Sequence, residues 1–118
     1  MKKNLNSINF KKKFQADGYL HFKSFFGAKD ITTNHSKIIK VCKKIPDNRL
    51  INPHLKIQEI SKLYKNKKLV NFVKILLEKK INGLQSELFI NPPGSKGHPP
   101  HQDDFFLKTG INNSLNAW

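Results

Sequence analysis

Residues 84–106, LQSELFINPPGSKGHPPHQDDFF, decide how the chain is read. Residues 84–90 have the alternation of a half-buried strand. Asn82-Gly83, just before them, closes a helix-rich stretch. Residues 91–100 hold four prolines and two glycines, which marks a loop held in extended conformations. Residues 101–106 (HQDDFF) then read as extended. On a strand, residues two apart share a face. His101 and Asp103 are therefore expected to point together, with Gln102 and Asp104 on the other side. Phe105 and Phe106 face opposite ways, one toward packing and one toward the border of a pocket.

An imidazole nitrogen beside a monodentate carboxylate oxygen is two thirds of the 2-His-1-carboxylate triad that holds non-haem Fe(II). Three ligands on one face leave positions for a bidentate co-substrate and dioxygen. His-x-Asp alone is a weak signal, because exposed strands carry solvated His and Asp at the same spacing. Its place after a Pro/Gly-rich loop and a strand, beside two aromatics, is the setting in which sites are built.

Working outward, residues 7–16 (SINFKKKFQA) place Phe10 and Phe14 on one face of a short helix that Asp17-Gly18 breaks. Residues 19–22 read as a short strand. Residues 28–44 carry Ile31, Ile38, Ile39 and Cys42 on one helical face. Residues 46–53 read as a polar loop, with Arg49 a loop cation. Residues 55–65 and 68–80 are helical, the second with the clearer stripe of Leu69, Phe72, Val73, Leu76 and Leu77. Residues 114–118 (SLNAW) begin a further strand. Cys42, on an apolar helix face, is expected to pack as a small hydrophobe. His21, His35 and His54 are expected to be surface or packing residues. His98 stands about 9 Å from His101 at about 3.1 Å per extended residue, too far to share a metal, and reads as a loop or supporting residue.

The 118 residues suit one domain and carry a net charge of +14. Such a charge raises the question of nucleic acid or anionic membrane. However, 21 of the 22 basic residues are lysine, and only Arg49 is arginine. Base readout and phosphate clamps favour arginine, and abundant Lys, Asn and Ile match the composition of an A/T-rich genome. Nucleic acid is thus not the expected partner. A non-catalytic basic module on anionic surfaces is the alternative class. No apolar run is long enough for a membrane span, no apolar block follows the basic N-terminus, and one cysteine excludes an internal disulfide. A cytoplasmic protein is expected.

The segment from residue 84 to 106, with Asn116-Ala117-Trp118, resembles the phytanoyl-CoA dioxygenase family. Pro92, Pro93, Gly94, His98, Pro99, His101, Gln102, Asp103, Ala117 and Trp118 carry the resemblance. Phe14, Asp17, Gly18, Tyr19 and Leu20 resemble that family's opening helix and strand. The resemblance implies an α+β fold: N-terminal helices followed by the first strands of an incomplete double-stranded β-helix (jelly-roll, cupin-like) barrel. Residues 1–118 then form a single partial domain, helical over about 1–82 and starting the barrel over about 83–118. The implied activity is that of an Fe(II)- and 2-oxoglutarate-dependent dioxygenase, hydroxylating a small organic or acyl-thioester substrate with dioxygen, with ascorbate as a further cofactor.

The resemblance assigns His101 and Asp103 as catalytic iron ligands, and Trp118, Glu87 and Gln85 to the 2-oxoglutarate pocket. Glu87 stands where the family often has Met, and Asn91 replaces the usual Lys. Asp103 favours hydroxylation over halogenation, since related halogenases have a small residue there. The family's second iron-binding His and its 2-oxoglutarate-anchoring Arg fall beyond Trp118. The resemblance therefore leads one to expect an N-terminal fragment, inactive alone, with a second chain as one way of completing the barrel.

Overall fold

The phenylalanines at 10, 22, 25 and 72 come from three separate stretches of sequence and meet in one cluster. The computed structural model describes residues 5–44, 49–110 and 112–118. Its elements are α1 (Leu5–Asp17), α2 (Ala28–Cys42), β1 (Arg49–Ile51), a 3-10 turn (Pro53–Leu55), α3 (Gln58–Tyr64), α4 (Lys67–Leu77), β2 (Glu87–Phe89) and α5 (Asp104–Leu107). The fold is a mixed one, α+β, with helices beside a two-stranded antiparallel sheet.

α1 packs on α4. Phe10 meets Phe72 edge-on at 5.9 Å between ring centres, and Phe22 meets Phe72 at 5.1 Å. Phe10–Phe22 and Phe22–Phe25, at 5.3 and 5.7 Å, close the group. Edge-to-face contact puts ring hydrogens on the electron-rich face of the neighbour, worth about 0.5–1.5 kcal/mol per pair beyond burial. Gly18, at φ 77°, ends α1, and its amide bonds the Phe14 carbonyl at 2.9 Å. A left-handed residue there favours glycine. Asn66 caps α4, its side-chain oxygen accepting from the amides of Lys68 and Leu69 at 3.0 and 3.2 Å.

α2 packs on α3, with Lys37 3.7 Å from Glu59. Cys42, at the end of α2, is buried as expected, along with Ile57 and Leu76. His54 is a packing residue, stacked on Tyr64 at 4.0 Å. Burial holds the Tyr64 hydroxyl above its ordinary pKa. His21 and His35 are exposed.

The core is thin. The chain exposes 10226 Å², where a compact monomer of 13.6 kDa exposes about 6,600 Å². Its radius of gyration is 16.0 Å, against about 13.5 Å for a compact chain of this length.

Several expected elements differ. Residues 19–22 and 114–118 form no strand, because a strand needs a hydrogen-bonded neighbour and none lies beside them among the described residues. Phe22 instead turns into the aromatic cluster. Residues 46–53 are not all loop. Residues 46–48 lie outside the described residues, whereas Arg49, Leu50 and Ile51 pair with Phe89, Leu88 and Glu87. Arg49 is thus a strand residue whose Nη2 lies 3.1 and 3.2 Å from the Glu87 carboxylate oxygens.

Phe72→Ala, which removes the ring at the centre of the cluster, should lower unfolding free energy by roughly 2–3 kcal/mol in urea titrations. Phe105→Ala, at a position 77% exposed, should stay within about 0.5 kcal/mol of the parent. Equal effects would refute the cluster as the organising contact.

Candidate metal centre

β2 delivers the chain into the Pro/Gly-rich loop, and the Phe89 ring packs at 4.9 Å against His98. Pro99 and Pro100 keep the next step extended. The expected extended run at 101–106 then breaks. Gln102 and Asp103 start a turn that becomes α5, with the Phe105 amide on the Gln102 carbonyl at 3.1 Å and the Phe106 amide on that of Asp103 at 2.9 Å. Without a neighbouring strand among the described residues, these amides find their acceptors locally. Phe105 and Phe106 are both exposed and meet edge-on at 5.2 Å, so neither is the packed member of the pair that the alternation predicts.

His101 and Asp103 nonetheless come together, across a chain bend rather than along a strand. His101 Nε2 lies 3.1 Å from Asp103 Oδ1. The other ring nitrogen, Nδ1, lies 2.8 Å from the Pro99 carbonyl and donates its hydrogen there. In a neutral ring this leaves Nε2 as a lone pair facing a carboxylate oxygen, which a cation between them relieves. In a protonated ring the same two groups form an ion pair. Adjacent ligands at right angles, each about 2.1 Å from a metal, stand about 3.0 Å apart. The observed separation fits that geometry. The other oxygen, Asp103 Oδ2, accepts from the Asn116 amide.

These residues line one open groove of about 490 Å³, walled by His98, Pro99, Pro100, Gln102 and Trp118 around the His101–Asp103 pair. Trp118 thus lines the same groove as the pair. Gln85 and Glu87 do not line this groove. They bond to each other, and Glu87 is held by Arg49 on the β1–β2 ladder. Among the described residues no group of three His, Cys, Asp or Glu side chains gathers to hold a metal. None of the described residues that line the groove is lysine or arginine, so a dicarboxylate co-substrate finds no permanent cation among them.

Asp104 is not simply solvated. Its Oδ1 accepts from the Thr109 amide at 2.8 Å and from the Thr109 hydroxyl. The hydroxyl bond, foremost, holds its carboxyl below the ordinary value. Two contacts escape a reading of the sequence, the Pro99 carbonyl on His101 and Asn116 on Asp103. Asn116 left a faint signal, since strand alternation over 114–118 puts it on the same side as Trp118.

No family model matches the chain, no curated protein does, and no solved structure does. Among the described residues no helix is long and apolar enough to cross a membrane.

Because the folded Asp104 carboxyl titrates below its ordinary value of 3.8, its contribution is present above that pH and is lost as pH falls through the lowered folded value. The Thr109 amide resonance should therefore titrate below 3.8, and Asp104→Asn should abolish that step. A Thr109 midpoint at or above the ordinary value would contradict the contact.

Proposed function

We propose that the chain carries part of a non-haem iron site of the phytanoyl-CoA dioxygenase type. The reading is a hydroxylase using Fe(II), 2-oxoglutarate and dioxygen on a small organic or acyl-thioester substrate, with ascorbate as a further cofactor. The observation that carries it is the 3.1 Å separation of His101 Nε2 and Asp103 Oδ1, with the other ring nitrogen tied to a backbone carbonyl. His101 Nε2 and Asp103 Oδ1 would hold the metal. Bound there, Fe(II) supplies the redox chemistry that couples oxidation of 2-oxoglutarate by dioxygen to substrate hydroxylation.

The chain's own residues do the rest. The Pro99 carbonyl accepts the Nδ1 hydrogen, so that in the neutral ring the Nε2 lone pair is the one left to meet a metal. Asp103 supplies the negative charge that favours a divalent cation over water. Trp118 and the Pro99–Pro100 pair give the groove apolar walls. Gln102 offers an amide that donates and accepts on the same rim. A third protein ligand and a cation for the far carboxylate of 2-oxoglutarate come from outside this set. On this reading they belong to further jelly-roll strands, contributed by more of the same polypeptide or by a second chain, and the chain alone is inactive.

Thermal unfolding under anaerobic conditions tests the metal assignment. Fe(II) at about ten times its dissociation constant should stabilise the chain by about 1.4 kcal/mol, a shift of about 5 °C, and Asp103→Ala should abolish it. No metal-dependent shift, or one that persists in Asp103→Ala, would overturn the assignment. Succinate formation from 2-oxoglutarate should be negligible for the chain alone. Turnover that requires His101 would overturn the inactivity, and turnover that survives His101→Ala would overturn the metal site.

A further inference from the structure

A carboxylate can meet a metal through one oxygen or two, and the choice fixes how many positions stay open for other ligands. At Asp103 the two oxygens have different partners. Oδ1 faces His101 Nε2 at 3.1 Å. Oδ2 is taken by the side-chain amide of Asn116, thirteen residues along the chain. His101 is restrained in the matching way, since its Nδ1 is engaged by the Pro99 carbonyl at 2.8 Å. Pro99, His101, Asp103 and Asn116 all line the same groove. Each prospective donor atom thus has its counterpart atom held by a neighbour, which leaves His101 Nε2 and Asp103 Oδ1 facing each other across the shared point.

We infer that Asn116 is a positioning residue that holds Asp103 in one-oxygen coordination, so that one more metal position remains open than a chelating carboxylate would leave. This rests on the metal reading above and deepens it. An amide suits the task. It donates a hydrogen bond to Oδ2 without adding a charge that would compete for the cation, and the bond to an ionised oxygen is of the stronger, charge-assisted kind. A lysine in its place would repel the metal, and a second carboxylate would bind it. Contacts of this class change metal affinity by about 10- to 100-fold when removed.

Cobalt(II), whose visible absorption depends on coordination number, is the probe, titrated anaerobically into the whole chain. The parent should bind, and His101→Ala and Asp103→Ala should not. Asn116→Ala and the similarly sized Asn116→Leu should bind about 10- to 100-fold more weakly. Their visible spectrum should change as Oδ2 enters the metal's reach, and the metal-free melting curve should stay where it is. Asn113→Ala, an exposed neighbour bonded to Thr109 and Lys79 instead, should leave cobalt binding as in the parent. Parent-like affinity and spectrum in both Asn116 variants would overturn the inference while leaving the metal reading intact. Weaker binding with an unchanged spectrum would also overturn it, because Oδ2 then stays out of reach without the amide. A loss of affinity matched by a loss of metal-free stability in both variants would assign Asn116 to the fold alone and overturn it too. A parent chain that binds no cobalt, or binds it equally well as His101→Ala, would overturn both readings together.

Discussion

The groove segment is registered against the helices by a short antiparallel ladder. β1 and β2 pair over three residues each, Arg49 with Phe89, Leu50 with Leu88 and Ile51 with Glu87. A two-stranded ribbon of that length is marginal by itself, and side chains brace it at both ends. At one end Arg49 lies over the Phe89 ring at 5.3 Å, and it reaches diagonally across the ladder to grip Glu87. At the other, the Asn52 amide reaches the Ser86 carbonyl at 2.8 Å, and the Ser86 hydroxyl lies 2.6 Å from His54 Nδ1. His54 in turn stacks on Tyr64 of α3. Tyr64 lies so close to Gly83 that a Cβ there would fall 2.1 Å from its hydroxyl oxygen. Any side chain at position 83, where the chain passes from the helices toward β2, would have to displace the Tyr64 ring. Phe89, at the far end of the ladder, then sets His98 and the start of the groove.

The helical half and the groove half are stabilised by different means. The first rests on apolar contact, with aromatic rings in edge-to-face register and the stripe of α4 turned toward α1. The second has little apolar burial. Its turn is held by hydrogen bonds that Thr109 donates to Asp104 and Asn116 donates to Asp103, most of these groups being at least partly open to water. Such bonds contribute modestly to stability, on the order of 1 kcal/mol each, but they are directional. They suit a segment whose task is to aim side chains rather than to bury them. Large apolar side chains stand open in both halves, Phe105, Phe106 and Trp118 in the second and Tyr19 and Leu55 in the first.

Patterns confined to one element were legible in the sequence. The spacing of Leu69, Phe72, Val73 and Leu76 marks α4, and the alternation around Leu88 marks β2, because each signal is local and periodic. Residues 19–22 and 114–118 have strand-like composition without strand structure, since strand formation is decided by a partner that composition does not reveal. The HQDDFF run misleads for a related reason. Asp104 bonding Thr109 rewards a turn, and that bond spans five residues in a way no alternation rule expresses. The approach of His101 to Asp103 was foreseeable from a spacing of two, although the backbone achieves it differently from a strand. The grip of Asn116 on Asp103 crosses thirteen residues and depends on the path of the intervening chain, so only the company of Trp118 hinted at it.

The two restraints on the His101–Asp103 pair differ in how they would fare as the sequence drifts. The acceptor for His101 is a main-chain carbonyl, which every amino acid at position 99 supplies, so long as the backbone keeps its extended course. The donor for Asp103 is a side chain, and a single codon change removes it. One half of the arrangement is thus insulated from substitution, and the other is exposed to it. In a lineage released from selection, the carboxylate would be expected to lose its orientation while the imidazole still pointed the right way.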